Sequence, residues 1–156
     1  MSSFIINIDE IVQELEKIGA GRIFLQVPEG LKKRAASIMQ TLQNKGYKVV
    51  VDAEPCFGSC DIPFYRAKHA DCDVILHLGH VDFGLKGEIP VIYYPVFSNI
   101  DVVEILERNR SKWNGYKSFV LATTAQHLNT LPQVRKYLET KGKEIFTGHN
   151  SRNKIE

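Results

Sequence analysis

Two thiols four residues apart, Cys56 and Cys60, stand in the stretch Cys56-Phe57-Gly58-Ser59-Cys60-Asp61. A thiolate is both a metal ligand and a nucleophile. On a flexible loop, two at this spacing can share one metal. Gly58 permits a tight turn between them, and Pro55 fixes the backbone that leads into it. The alternative reading makes one or both small buried apolar residues. The third thiol, Cys72, lies in Ala70-Asp71-Cys72-Asp73, at a helix-to-strand junction on the opposite edge of the expected sheet. It is read as structural.

Three further segments carry polar groups where strands are expected to end. His77-Leu78-Gly79-His80 closes one strand, and Gly79 lets the backbone approach a ligand closely. His77 falls inside the strand and is read as a packed, hydrogen-bonded core histidine. His80 lies beyond it, on the same edge as the cysteine loop, where neutral imidazole serves as ligand, donor or proton carrier. Thr123-Thr124-Ala125-Gln126-His127 holds the equivalent place after a later strand. Its hydroxyls either cap a helix or, with the helix N–H groups, hold a carboxylate. Val27-Pro28-Glu29-Gly30 has neither the glycine pattern of a dinucleotide site nor the lysine of a phosphate loop. Ser98 has no Asp–His partner in a hydrolase-like order.

These segments need a scaffold that brings strand ends together. Ile8, Ile11, Val12, Leu15 and Ile18 recur at helical spacing, and Gly19-Ala20-Gly21 stops that helix. Short apolar runs predict strands at 23–27, 48–51, 74–78, 91–96, 119–123 and 143–146. Between them the pattern predicts helices at 31–44, 63–70, 100–112 and 127–142, with Pro132 in the first turn of the last. Strand–helix alternation with non-alternating apolar strands predicts an α/β fold: a single-domain parallel sheet with helices on both faces. Residues 1–147 are expected to form that domain, and 148–156 a flexible tail or a truncated interdomain link.

A chain of 156 residues is one domain by length, and 44% hydrophobic content is ordinary for a globular protein. The formal net charge of +2 gives no support for nucleic-acid or membrane binding. The basic run Lys32-Lys33-Arg34 is read as a solvated helix face. Three cysteines, with no basic-then-apolar leader, predict reduced thiols in the cytoplasm rather than a disulfide framework.

Taken in order, Gln26-Val27-Pro28-Glu29-Gly30-Leu31, Phe57-Gly58-Ser59-Cys60-Asp61, His77-Leu78-Gly79-His80 and Thr123-Thr124-Ala125-Gln126-His127 resemble one family. It is the archaeal diphthamide-synthesis enzyme, 2-(3-amino-3-carboxypropyl)histidine synthase, and the likeness is to its first domain, from about Ile8 to Gly148. The resemblance implies a homodimer of three-domain chains, each domain giving one cysteine to a single [4Fe–4S] cluster. It implies S-adenosylmethionine at the fourth iron, cleaved to a 3-amino-3-carboxypropyl radical that attacks a histidine of elongation factor 2. That is the first step of diphthamide formation.

Carried over residue by residue, Cys60 matches the first-domain cluster cysteine. Cys56 is expected to be a bystander. Glu29, His80, Thr124 and Gln126 are carried as pocket residues for the cofactor. The second and third family cysteines have no counterpart here, Val81 stands where a small polar residue is expected, and Phe57 replaces a tyrosine. The expectation is therefore a fragment, a truncated product or a short relative that completes its site with other domains or chains. Two rivals stand beside it: a non-catalytic α/β binding or assembly module without a cluster, and a small zinc site using Cys56, Cys60 and a histidine.

Overall fold

The computed structural model describes residues 4–148. The expected tail at 148–156 lies outside the described residues except for Gly148. In chain order the elements are β1 (Phe4–Ile5), α1 (Ile8–Lys17), β2 (Arg22–Gln26), α2 (Lys32–Asn44), β3 (Lys48–Val51), α3 (Phe64–His69), β4 (Val74–Leu78) and β5 (Val91–Tyr94). They continue with β6 (Phe97–Ser98), α4 (Val102–Arg108), α5 (Arg110–Trp113), β7 (Ser118–Leu121), α6 (Leu131–Thr140) and β8 (Glu144–Thr147). Short 3-10 helices precede α2 (Glu29–Leu31) and α6 (Ala125–Thr130). Two compact units result: Ile5–Val96, and Phe97 onward with Phe4.

The first unit is built on a four-stranded parallel sheet in the order β3-β2-β4-β5. Its two central strands, Arg22-Ile-Phe-Leu-Gln26 and Val74-Ile-Leu-His-Leu78, are apolar runs buried on both faces, Arg22 apart. Burial on both faces is what a parallel sheet under helices requires. Leu25 pairs with Leu76, and Gln26 with His77. Asn7 caps α1 by accepting from the Asp9 N–H at 3.1 Å, and Ile11 and Leu15 of that helix are fully buried.

The N-terminal ends of β2 and β4 are joined by Asp73, whose Oδ2 accepts from the N–H groups of Gly21 (2.8 Å) and Arg22 (2.7 Å). Those two donors hold its carboxyl below the ordinary aspartate range. Asp73→Ala is expected to cost about 1–2 kcal/mol, two exposed charge-assisted bonds at a discount for solvent. Urea unfolding at neutral pH measures it, and an unchanged midpoint would show the bonds to be dispensable.

In the second unit β7 and β8 pair in parallel, Phe119 beside Ile145. Trp113, Val134, Leu138 and Ile145 form its core. The Trp113 indole N–H donates to the Leu106 carbonyl at 2.8 Å. The sequence pattern had placed every strand in one sheet; these two form their own. Two expected helices are also interrupted. The run 100–112 begins at the Asp101 cap and breaks at Asn109, while 127–142 opens as a 3-10 turn before α6, with Pro132 in the first turn of that helix. The strand expected to reach Val96 stops at Tyr94, before Pro95, which has no N–H for a ladder.

Candidate metal and cofactor site

From β2 the chain passes to β3 on one side, then crosses to β4 on the other. The carboxyl ends of β2 and β4 therefore flank a topological switch point, the place where open α/β sheets bind ligands. Three segments leave the sheet at this edge: Val27-Pro28-Glu29 after β2, the cysteine loop after β3, and Gly79-His80 after β4.

The cysteine loop is anchored at both ends. Lys32 of α2 donates from Nζ to the carbonyls of Asp52 (3.2 Å), Ala53 (3.0 Å) and Glu54 (2.5 Å). The buried Asp52 carboxylate accepts from an Arg66 guanidinium nitrogen of α3 at 2.9 Å. At the far end the Gln26 amide Nε2 donates to the Asp61 carbonyl at 2.8 Å. Within the loop the two thiols part company: Cys56 is buried and Cys60 is exposed. Cys60 Sγ lies 3.6 Å from where a β-carbon on Gly58 would sit, an ordinary van der Waals contact. Ser59 is fully buried, and its Oγ has no hydrogen-bond partner. Cys72 is packed with Phe24, Ala67, Ile75 and Ile89, as its structural reading requires.

A chain of hydrogen bonds runs from this loop to His80. Because Gln26 Nε2 donates to a carbonyl, its Oε1 must be the acceptor, and it lies 2.6 Å from His77 Nδ1. His77 Nδ1 therefore carries the proton. Its Nε2, a bare lone pair, lies 2.9 Å from His80 Nδ1, which must donate. The order is His80 to His77 to Gln26 to the Asp61 carbonyl, and it leaves Nε2 of neutral His80 as a free acceptor. Full burial and the neighbouring His80 push the His77 imidazole down to about 4, so it is neutral at physiological pH. Burial lowers His80 as well, and burial raises the Cys56 thiol.

Gly79 makes this corner possible. Its φ is +86°, and a β-carbon there would lie 3.2 Å from Pro28 Cγ. Gly79→Ala is expected to cost about 1–2 kcal/mol from left-handed backbone strain and crowding. Thermal unfolding checks this, and a neutral result would mean that the turn relaxes freely.

The predicted site residues are thus distributed unevenly. Cys60, His80 and Glu29 all follow strands at the switch-point edge. Glu29 is exposed and pairs with Lys32 at 3.7 Å. Thr124 and Gln126 belong to the second unit. Thr124 makes no side-chain cap bond, and its hydroxyl donates to Gln126 Oε1 at 3.5 Å. Sequence reasoning missed Gln26 as the link between loop and histidines. It also read Cys56 as a bystander of the cluster, or as a zinc ligand beside Cys60 and one histidine, whereas one ligand atom each from Cys56, His77 and His80 lie within 4.8 Å of one another. A cavity of about 670 Å³ in the first unit runs along β5 beside Glu10, Glu14 and Asp82, and includes none of these residues.

The family model for diphthamide synthesis proteins matches residues 27–156. The chain belongs to the diphthamide synthesis family. Among its relatives, the 2-(3-amino-3-carboxypropyl)histidine synthase of Pyrococcus horikoshii is 36% identical over 140 residues, covering 89% of this chain and 41% of that protein. The enzyme of the same name from Methanocaldococcus jannaschii is 25% identical over 147 residues. The crystal structure of Dph2 from Pyrococcus horikoshii with a 4Fe-4S cluster superposes with a TM-score of 0.83 at 35% identity, over 93% of this chain and 43% of that one. This family member therefore spans about two fifths of the length of these archaeal relatives. The match also bears out the α/β fold class.

The donor set can be tested against a cubane cluster of the kind that relative holds. Such clusters take thiolates. Among the described residues one thiol, Cys60, is accessible, on a loop fixed at both ends, while Cys56 and Cys72 are buried. That fits one corner of a cluster and no more.

Proposed function

We propose that this chain supplies one cysteine-bearing domain of a 2-(3-amino-3-carboxypropyl)histidine synthase. That enzyme is a cytoplasmic, S-adenosylmethionine-dependent transferase acting on a histidine of elongation factor 2, in the first step of diphthamide biosynthesis. The single observation that carries the reading is the exposed Cys60 thiol at the switch-point edge of the parallel sheet. On this reading residues 1–147 act as one building block and 148–156 as a link. The remaining cluster cysteines come from other domains or chains, in a homo- or hetero-oligomer.

When bound, the cluster supplies one-electron chemistry toward S-adenosylmethionine. The chain's own residues do the rest. Cys60 ligates one iron. Lys32 and Gln26 hold the two ends of its loop, so that the thiolate is presented in one place. His80 lines the pocket from the turn that follows β4. The Glu29 carboxylate suits the ammonium of its amino-acid part.

The experiment is oxygen-free reconstitution with iron and sulfide, alone and with polypeptides that carry the rest of the relatives' length. The broad visible charge-transfer band of an iron–sulfur cluster is expected only in the mixture. No iron in any pairing would replace this reading with a binding or assembly module of the same fold.

A further inference from the structure

We propose that Cys56, His77 and His80 form a second metal site, separate from the Cys60 thiol and of the class that takes zinc. The proposal does not depend on the cluster reading. Three segments contribute: the loop after β3, the penultimate residue of β4 and the turn beyond it. One ligand atom from each lies within 4.8 Å of the others. Tetrahedral zinc, with bonds of about 2.0–2.1 Å to nitrogen and about 2.3 Å to sulfur, sets its ligand atoms roughly 3.3–3.7 Å apart. The histidine pair is already at 2.9 Å. Closing the site asks a shift of about one ångström from a side chain, and half-buried His80, on a turn, has the freedom to make it.

The donor chemistry fits the ion. One thiolate with two imidazoles is a borderline set suited to zinc, and three protein ligands leave the fourth position open. The surroundings fit as well. A metal-bound histidine ordinarily donates its other ring N–H to a fixed acceptor, which sets the tautomer. Gln26 is that acceptor for His77, and it is itself held by the Asp61 carbonyl. His77 Nε2 is thereby left as a lone pair aimed into the group. In the metal-free chain a proton on His80 Nδ1 occupies the space between the rings.

Binding follows with a simple balance. The Cys56 thiol gives up its proton to solvent, and His80 moves its ring proton from Nδ1 to Nε2. The metal takes the thiolate sulfur, His77 Nε2 and His80 Nδ1, with water in the open position. One proton is released per ion.

The test uses the full chain carrying Cys60→Ala, reduced and free of oxygen, titrated with cobalt(II) and then zinc. The expected result is one cobalt per chain with a thiolate-to-cobalt band, bleached by one equivalent of zinc, and a thermal midpoint raised by zinc. Cys56→Ser should remove the band and the zinc-induced rise while circular dichroism still reports a folded chain. Gln26→Ala, which touches no metal, should weaken zinc binding about 10–100-fold. Absence of a thiolate band in the Cys60→Ala chain would overturn the proposal, as would a band that survives Cys56→Ser. Because cluster assembly is read with Cys60 present, failure of one site leaves the other to be judged separately.

Discussion

Replacing Cys60 with alanine is expected to reduce the iron–sulfur band of the reconstituted mixture to background, while Cys56→Ala leaves it in place. The two residues sit in one loop and share one chemistry, so the contrast comes from position alone. Cys60 is exposed at the switch-point edge, where thiolates from other domains or chains can join it; Cys56 is 4% exposed, and its ligand atom lies within 4.8 Å of those of His77 and His80. A cubane that loses one of three protein thiolates has no substitute in this chain, because Cys72 is packed among apolar residues at the other end of β4. Iron and sulfide analysis alongside the visible spectrum measures the outcome. If the band survives Cys60→Ala and disappears in Cys56→Ala, the assignment of the ligand is wrong.

The second large effect is a loss of stability in mild acid, measured with chelator present so that no metal intervenes. Unfolded, His77 titrates near the ordinary histidine value of about 6.5. Folded, it titrates at about 4. Between those values the unfolded chain takes up a proton that the folded chain refuses. Stability is therefore complete above about pH 6.5 and falls as the pH drops toward about 4, by roughly 3 kcal/mol in all. His80 is lowered too and steepens the fall. Asp73, also lowered, acts in the same sense, in the lower range where carboxylates titrate. Urea midpoints at about pH 7 and about pH 4.5 give the slope. His77→Gln, which can still accept from His80 and donate to Gln26, is expected to flatten it. An equal slope in both proteins would locate the acid sensitivity elsewhere.

Much of this architecture is legible in the residues. Lys48–Val51 and Val74–Leu78 are read to the residue, because each is a short apolar run closed by polar or glycine neighbours. The cysteine loop, the His77–His80 strand end and the burial of Cys72 follow from the same punctuation. The break at Asn109 and the 3-10 segment at Ala125–Thr130 do not, since a helical period survives a short interruption. The hydrogen-bond chain through Gln26 was also out of reach. It depends on register, and two separate strands do not state their register. A trace of it was present: β2 ends on a polar residue after three buried apolar ones, and β4 carries a polar residue in its fourth place. Two polar groups in strands buried on both faces need each other, or some third partner.

The pairing of Gln26 with His77 makes strand length a matter of chemistry as well as packing. Sheet side chains alternate, so one residue inserted into β2 would bring an aliphatic chain opposite the imidazole and swing the amide to the far face. The Asp61 carbonyl would then be untethered and the thiol loop set adrift, with the hydrophobic count unchanged. Insertions among the exposed residues 82–88 would disturb none of this, so a library that varies length belongs in that connection and not in the strands.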